Sequence, residues 1–294
     1  MTGPEILARW AERWQLWLPI ATLCALALLE AAWPARSSAY RRGPRWLSNL
    51  GLHLLDTWLF VAIGPVGLVV AVLFAIGKPH VAAFAPVGHL GGFWAVLAAS
   101  CVLLDLTAYL THRLSHALFV LWRLHAVHHA DPELDASTAV RHHPLETIFS
   151  GFLTLAVLLV AGMPPWALPI YALVALLAQL WQHANLPRAR RLEAVLGLVL
   201  VTPGQHATHH STDPAHYNSN FGTVLSVWDR LFATLLPTPP GSLTFGVEPW
   251  RQPRDIWLDS ALLLPLRLRR ARSPAEQQAL DEPGDPGQAR QPLR

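Results

Sequence analysis

Residues 103–129 read LLDLTAYLTHRLSHALFVLWRLHAVHH, and the placement of their histidines decides how the chain is read. At 3.6 residues per helical turn, residues three and four apart share a face. His112 and His116 (H-x-x-x-H) are therefore predicted to point into one site, and so are His125, His128 and His129 (H-x-x-H-H). His206-Ala-Thr-His209-His210 repeats the second pattern later in the chain. With 15 His in 294 residues, about 0.04 H-x-x-H-H matches are expected by chance. Two matches beside an H-x-x-x-H pair therefore mark a built site.

Composition says where that site lies. Hydrophobic residues make up 52% of the chain and charged residues 14%, against roughly 25% charged in a soluble domain. Mean hydropathy is +0.31. This excludes a disordered chain and an ordinary soluble domain. The net charge of +3 is too balanced for a nucleic-acid binder, so no nucleic-acid partner is expected. Cys24 and Cys101 sit in apolar stretches and form neither a disulfide framework nor a thiolate site.

Apolar runs cover residues 16–33, 46–76, 90–110, 147–161 and 166–181. A crossing of about 30 Å needs about 20 residues at 1.5 Å each. The first run is predicted to be a retained span, either crossing once or pairing with the second as a re-entrant hairpin. Glu30 near its end is expected at the interface. The second run is long enough to tilt, or to break at Gly64-Pro65. The last two runs, joined through Gly162-Met163-Pro164-Pro165, read as a tight hairpin. The expected fold is all-α: an integral membrane bundle of about four to five helices with a His-rich di-metal helical cap. Arg36, Arg41, Arg42, Arg45, Arg113, Arg123, Arg141, Arg188, Arg190 and Arg191 flank the runs on one side, with Lys78 on the other, so the cap is expected to face the cytoplasm. The scarcity of lysine beside arginine points to a bacterial cell (inner) membrane.

The predicted organisation is membrane helices over 1–92, a catalytic domain over 93–240, a surface or docking segment over 241–268 and a disordered tail over 269–294. Residues 257–268 form an amphipathic candidate, lying on the membrane or docking on the bundle.

Imidazole nitrogen suits Fe, Zn, Cu and Ni. Eight clustered histidines exceed what one ion takes, whereas two ions with four or five ligands each fit the count. A structural zinc site would usually include thiolates, and a ferritin-like site would supply glutamates at Glu-x-x-His spacing. An all-histidine dinuclear site against a bilayer reads best as oxygen-activating.

Further motifs join these boxes. They are Asp105-x3-Tyr109-x2-His112-Arg113, Arg141-His142-His143-Pro144-Leu145-Glu146, Gln182-His183-Ala184-Asn185, His209-His210-Ser211, Asn220-Phe221-Gly222 and Trp228-Asp229-Arg230-Leu231-Phe232. In this order, over about residues 94–235, the chain resembles the fatty acid hydroxylase/sterol desaturase superfamily of membrane-bound di-iron oxygenases. The resemblance implies that His112, His116, His125, His128, His129, His183, His206, His209 and His210 are metal ligands, with His143 either a tenth ligand or a neighbour of one. It implies two Fe ions, O2 as co-substrate, and hydroxylation or desaturation of a fatty acyl, sterol-like or carotenoid lipid. Ala233 stands where the family usually has glycine, which suggests that φ there need not be positive.

Asp105 lies two helical turns before His112 and is expected to accept a proton from a ligand's outer nitrogen, the alternative being a buried carboxylate satisfied by Thr107 or backbone. Asn185 and Asp229 either do the same or cap local structure. His142 and Glu133 are expected to be solvated, His216 a loop histidine, and His53, His80 and His89 structural. The chain carries no flavin, haem or nicotinamide fingerprint, so a cytochrome b5-, ferredoxin- or reductase-like electron donor is expected as a partner. The rival readings are a zinc-dependent membrane hydrolase and a non-enzymatic metal-binding membrane protein.

Overall fold

A computed structural model describes residues 16–77, 90–239 and 241–269, with isolated positions before residue 16 and the backbone alone over 64–77. Among the described residues the protein is all-helical, with isolated β-bridges and no strand. The helices are α1 (Trp17–Ala32), α2 (Arg42–Gly77), α3 (Phe93–Ala117), α4 (Phe119–His129), α5 (Pro144–Ala161), α6 (Ala167–His183), α7 (Arg190–Leu196), α8 (Pro203–His209), α9 (Pro214–Tyr217), α10 (Val227–Leu231) and α11 (Leu258–Arg267), with a 3-10 turn at Ala136–Val140. Lys78, His80, His89 and the tail from residue 270 fall outside the described residues.

Among the described residues, three helices are long and apolar enough to cross a membrane: Arg42–Ile63 of α2, α3 and α5. The apolar helices α1 and α6 are shorter. The helix α2 runs through Gly64-Pro65 without a break. The short turn between α5 and α6 forms, but the two helices do not close into the tight hairpin expected: both pack on α3, and a cavity lined by Leu155 and Ala172 lies between them. His143 caps the start of α5, accepting from Leu145 N through Nδ1 at 3.2 Å, and Pro144 fills the first helical position. Gly162, at φ +63°, ends α5 in the left-handed region.

Core packing places these helices under the cap. Leu104 of α3, Leu158 and Ala161 of α5 and Tyr171 and Ala175 of α6 form one cluster. Leu52 of α2, Ala126 and Val127 of α4 and Ala261 and Leu264 of α11 form another. The segment 257–268 is thus a docking helix on the bundle, although Trp257, Leu263 and Leu266 remain exposed on its outer side.

Two charged residues on either side of the α1–α2 loop, Glu30 of α1 and Arg45 of α2, are buried, contrary to expectation. Glu30 is 2% exposed and does not reach the interface. Its carboxylate accepts from Ala136 N (2.9 Å), Asn185 N (2.8 Å) and Arg42 Nη2 (2.9 Å), tying α1 to the 3-10 turn and the end of α6. Arg45 is likewise buried, pairing with Asp131 (2.7 Å) and Asp135. Asn49 and Thr138 also donate to Asp131, at 3.0 and 2.8 Å. Burial alone would raise the Asp131 carboxyl, but Arg45 and Arg141, with the hydrogen bonds from Asn49 and Thr138, hold it below the ordinary range. Arg45 and Arg141 therefore act inside the fold, not as free charges facing a membrane surface.

Candidate metal centre

The helical boxes meet where α3, α4, α6 and α8 converge. Their imidazoles fall into two groups, His112, His116, His125, His129 and His209 in one, and His128, His183, His206 and His210 in the other. Within each group one ligand atom per residue lies within 4.8 Å of all the others. Each H-x-x-H-H box is split between them. His125 and His129 enter the group of five and His128 the group of four, while His206 and His210 enter the group of four and His209 the group of five. This corrects the expectation of one site per box. At 100° per residue, positions i and i+4 stand 40° apart, while i+3 lies about 60° to the other side of i. The box therefore fans its third imidazole toward a neighbouring centre. The groups adjoin: the rings of His129 and His210 stack at 4.5 Å between centroids.

Ring nitrogens converge closely. Nε2 of His183 lies 3.0 Å from that of His206, 3.2 Å from that of His210 and 3.3 Å from that of His128. Neighbouring nitrogens around one cation, each at about 2.0–2.1 Å, would stand about 3.0–3.4 Å apart. The outward nitrogens are held by acceptors, which fixes the proton on Nδ1. His112 donates to Phe221 O (2.9 Å), His209 to Ser219 O (2.7 Å), His128 to Arg141 O (3.1 Å), His183 to Gln179 O (2.8 Å) and His125 to Glu146 Oε1 (2.6 Å). Nε2 of His112 and of His209, and both ring nitrogens of His116, are buried without a hydrogen-bond partner. Burial first, then the neighbouring imidazoles, holds His128, His129, His206, His209 and His210 well below the ordinary imidazole range. These rings are neutral and keep lone pairs for a cation. The donor set therefore fits two borderline metal ions.

The structure leaves His143 outside both groups, as the cap of α5. Asp105 does not touch an imidazole. Its carboxylate accepts from Tyr171 Oη (2.8 Å), Val224 N (3.1 Å), Leu225 N (3.1 Å) and Trp228 Nε1 (2.8 Å). Two turns of helix bring it to the same face as His112, but the loop after residue 219 reaches it first. Asn185 also avoids the imidazoles, accepting from Arg36 N and donating to Arg36 O. Asp229 caps local structure, accepting from Phe221 N and Gly222 N at 2.8 Å each. It thereby fixes the carbonyl that holds His112. A Cβ on Gly222 would meet Val201 Cγ2 at 2.6 Å and Asp229 Oδ2 at 2.8 Å, so only glycine fits there. Ala233 has φ +54°, correcting the inference from its missing glycine.

No part was assigned to Glu146 from sequence, and the expectation for His142 is overturned. Glu146 holds His125. His142 is half-buried, not solvated, with its ring stacked 4.6 Å from that of His128 and Nδ1 3.6 Å from Glu146 Oε2. Their i, i+4 spacing was the available signal. Glu133 accepts from Ala39 N (2.7 Å), while His53 and His216 lie outside both groups.

A cavity of about 760 Å³ opens beside the centre. His112, His125, His128 and His206 line it, and its other walls come from α2, α3, α5 and α6, including Phe60, Ala108, Leu155 and Ala172.

Comparison with known proteins agrees with this geometry. The family described as "Fatty acid hydroxylase" matches residues 97–234. Ornithine lipid hydroxylase OlsE of Rhizobium tropici is 30% identical over 234 residues, covering 78% of this chain and 69% of that protein. The chain belongs to the fatty acid hydroxylase family. The family segment contains all nine clustered histidines. Alkylglycerol monooxygenase of Danio rerio is 33% identical over 133 residues, 45% of this chain and 29% of that protein. The human alkylglycerol monooxygenase is 29% identical over 130 residues, 44% of this chain and 28% of that protein. This fatty acid hydroxylase family member thus spans under a third of the length of those relatives. No solved structure matches the chain.

Proposed function

We propose that the protein hydroxylates a C–H bond of a membrane lipid, with two irons held by the nine clustered imidazoles and O2 as co-substrate. One observation carries this reading: two adjoining all-imidazole groups face an apolar cavity walled by membrane-length helices. Bound there, iron would supply the activation of O2 and the removal of hydrogen from an unactivated C–H bond, chemistry beyond any side chain.

The chain's own residues do the rest. His112, His116, His125, His129 and His209 hold one ion, and His128, His183, His206 and His210 the other. Glu146 keeps the His125 proton on Nδ1, and the carbonyls of Phe221, Ser219, Arg141 and Gln179 do the same for their partners, so each Nε2 stays free to bind. Asp105 and Asp229 position the loop that carries two of those carbonyls. Phe60, Ala108, Leu155 and Ala172 bind the alkyl chain and exclude water from the reacting carbon. The names of the relatives favour hydroxylation over desaturation. Electrons come from a cytochrome b5-, ferredoxin- or reductase-like donor, and the centre sits at the cytoplasmic side of a bacterial inner membrane.

Lipid mass spectrometry of cells with and without the gene tests this. The expected result is an O2-dependent lipid species carrying one added oxygen. Loss of two hydrogens would favour desaturation. A zinc-dependent change without O2 consumption would replace the proposal with the hydrolase reading.

A further inference from the structure

The cavity has one contact that nothing in its metal chemistry requires. Gly151 lies inside α5, where glycine costs about 1 kcal/mol relative to alanine, and it is absent from the positive-φ residues. Its use is space. A Cβ at Gly151 would stand 2.7 Å from Cε2 of Phe60 on α2. The Phe60 ring is seated in that notch, and both residues line the cavity.

The depth of the contact follows from the helix. Glu146, which holds His125, also lines the cavity. Gly151 is five residues further along α5, about 7.5 Å at 1.5 Å per residue. Thr147, Gly151 and Thr154 continue one stripe of cavity wall from the imidazoles past the ring. The ring already fills the notch, so although Phe60 is 48% exposed, it cannot retreat toward α5 when a bulkier group arrives.

We propose that the Phe60–Gly151 contact is the specificity-determining element of the cavity. It admits a straight alkyl chain and rejects a chain carrying a methyl branch at the depth of the ring. This rests on the reading that a lipid chain enters the cavity.

The test uses the full-length protein in detergent micelles, with straight-chain and mid-chain methyl-branched fatty acids of equal length. Equilibrium binding of each radiolabelled acid is measured beside turnover. Phe60→Ala is expected to raise the branched-to-straight ratio about tenfold, in binding and in kcat/KM, the scale of one carbon in an apolar pocket. Gly151→Ala is expected to displace the ring and shift the ratio in the wild-type background, and to leave it within about twofold in the Phe60→Ala background. An unchanged ratio in Phe60→Ala at wild-type metal content would overturn the inference. So would a Gly151→Ala effect of equal size with and without Phe60. Iron and O2 are supplied, with a chemical reductant in place of the electron donor, and binding ratios that shift in a protein forming no oxidised product under those conditions would uphold the inference and defeat the hydroxylase reading.

Discussion

The segments 125–129 and 206–210 carry the same H-x-x-H-H pattern and are supported in different ways. The first ends α4 and rests on charge. Glu146 holds His125 at 2.6 Å, and the carbonyl of Arg141 holds His128. The Arg141 guanidinium donates to Val127 O and to Asn49 Oδ1, beside the buried Arg45–Asp131 pair. The second ends α8 and rests on neutral groups. Thr202 and Gln205 form a capping box at the helix start, and the Ser219 carbonyl holds His209. One pattern thus sets which imidazole joins which group. The surroundings set how firmly each ring is oriented, and what its loss costs.

The largest effect should come from crossing the two boxes. His128→Ala takes one ligand from the group of four, whereas His209→Ala takes one from the group of five. The first should lose one of two irons and turnover with it. The second should keep both irons with weakened affinity. Elemental analysis and product formation measured together check this, and equal losses in both variants would erase the asymmetry.

The supports should differ next. Arg45→Ala leaves Asp131 and Asp135 without their buried partner and should destabilise the protein by about 3–5 kcal/mol. Thr202→Ala removes a cap and should cost only about 1 kcal/mol. Thermal unfolding in micelles separates the two. Glu146→Ala should then lower metal affinity or turnover about 10–100-fold. Glu146→Gln should recover much of that, because its carbonyl can still accept from His125, and iron titration distinguishes the two. The smallest effect is expected at Ala233, held at φ +54°. Ala233→Gly should stabilise the fold by about 1 kcal/mol, visible as a small rise in Tm.

Much of this difference was out of reach of the sequence, for a physical reason. Helical spacing and apolar runs are local, so the helices, the turn between α5 and α6 and the candidate ligands could be read from neighbours in the chain, whereas the packing of both helices on α3 could not. Burial of charge is not local. Arg45 meets Asp131 eighty-six residues away, and Glu30 meets Asn185 at a separation of 155. From sequence, both looked like residues of a membrane boundary. Asp105 was legible as a buried carboxylate, but its partners lie on a distant loop. His142 lacked a motif, and its stacking on His128 depends on the turn that brings α5 back to α4.

The most direct test is the metal content of the purified full-length protein, counted per chain by elemental analysis. The account predicts two irons, falling to one in His128→Ala. A single ion per chain, or zinc in place of iron with O2-independent turnover, would contradict it.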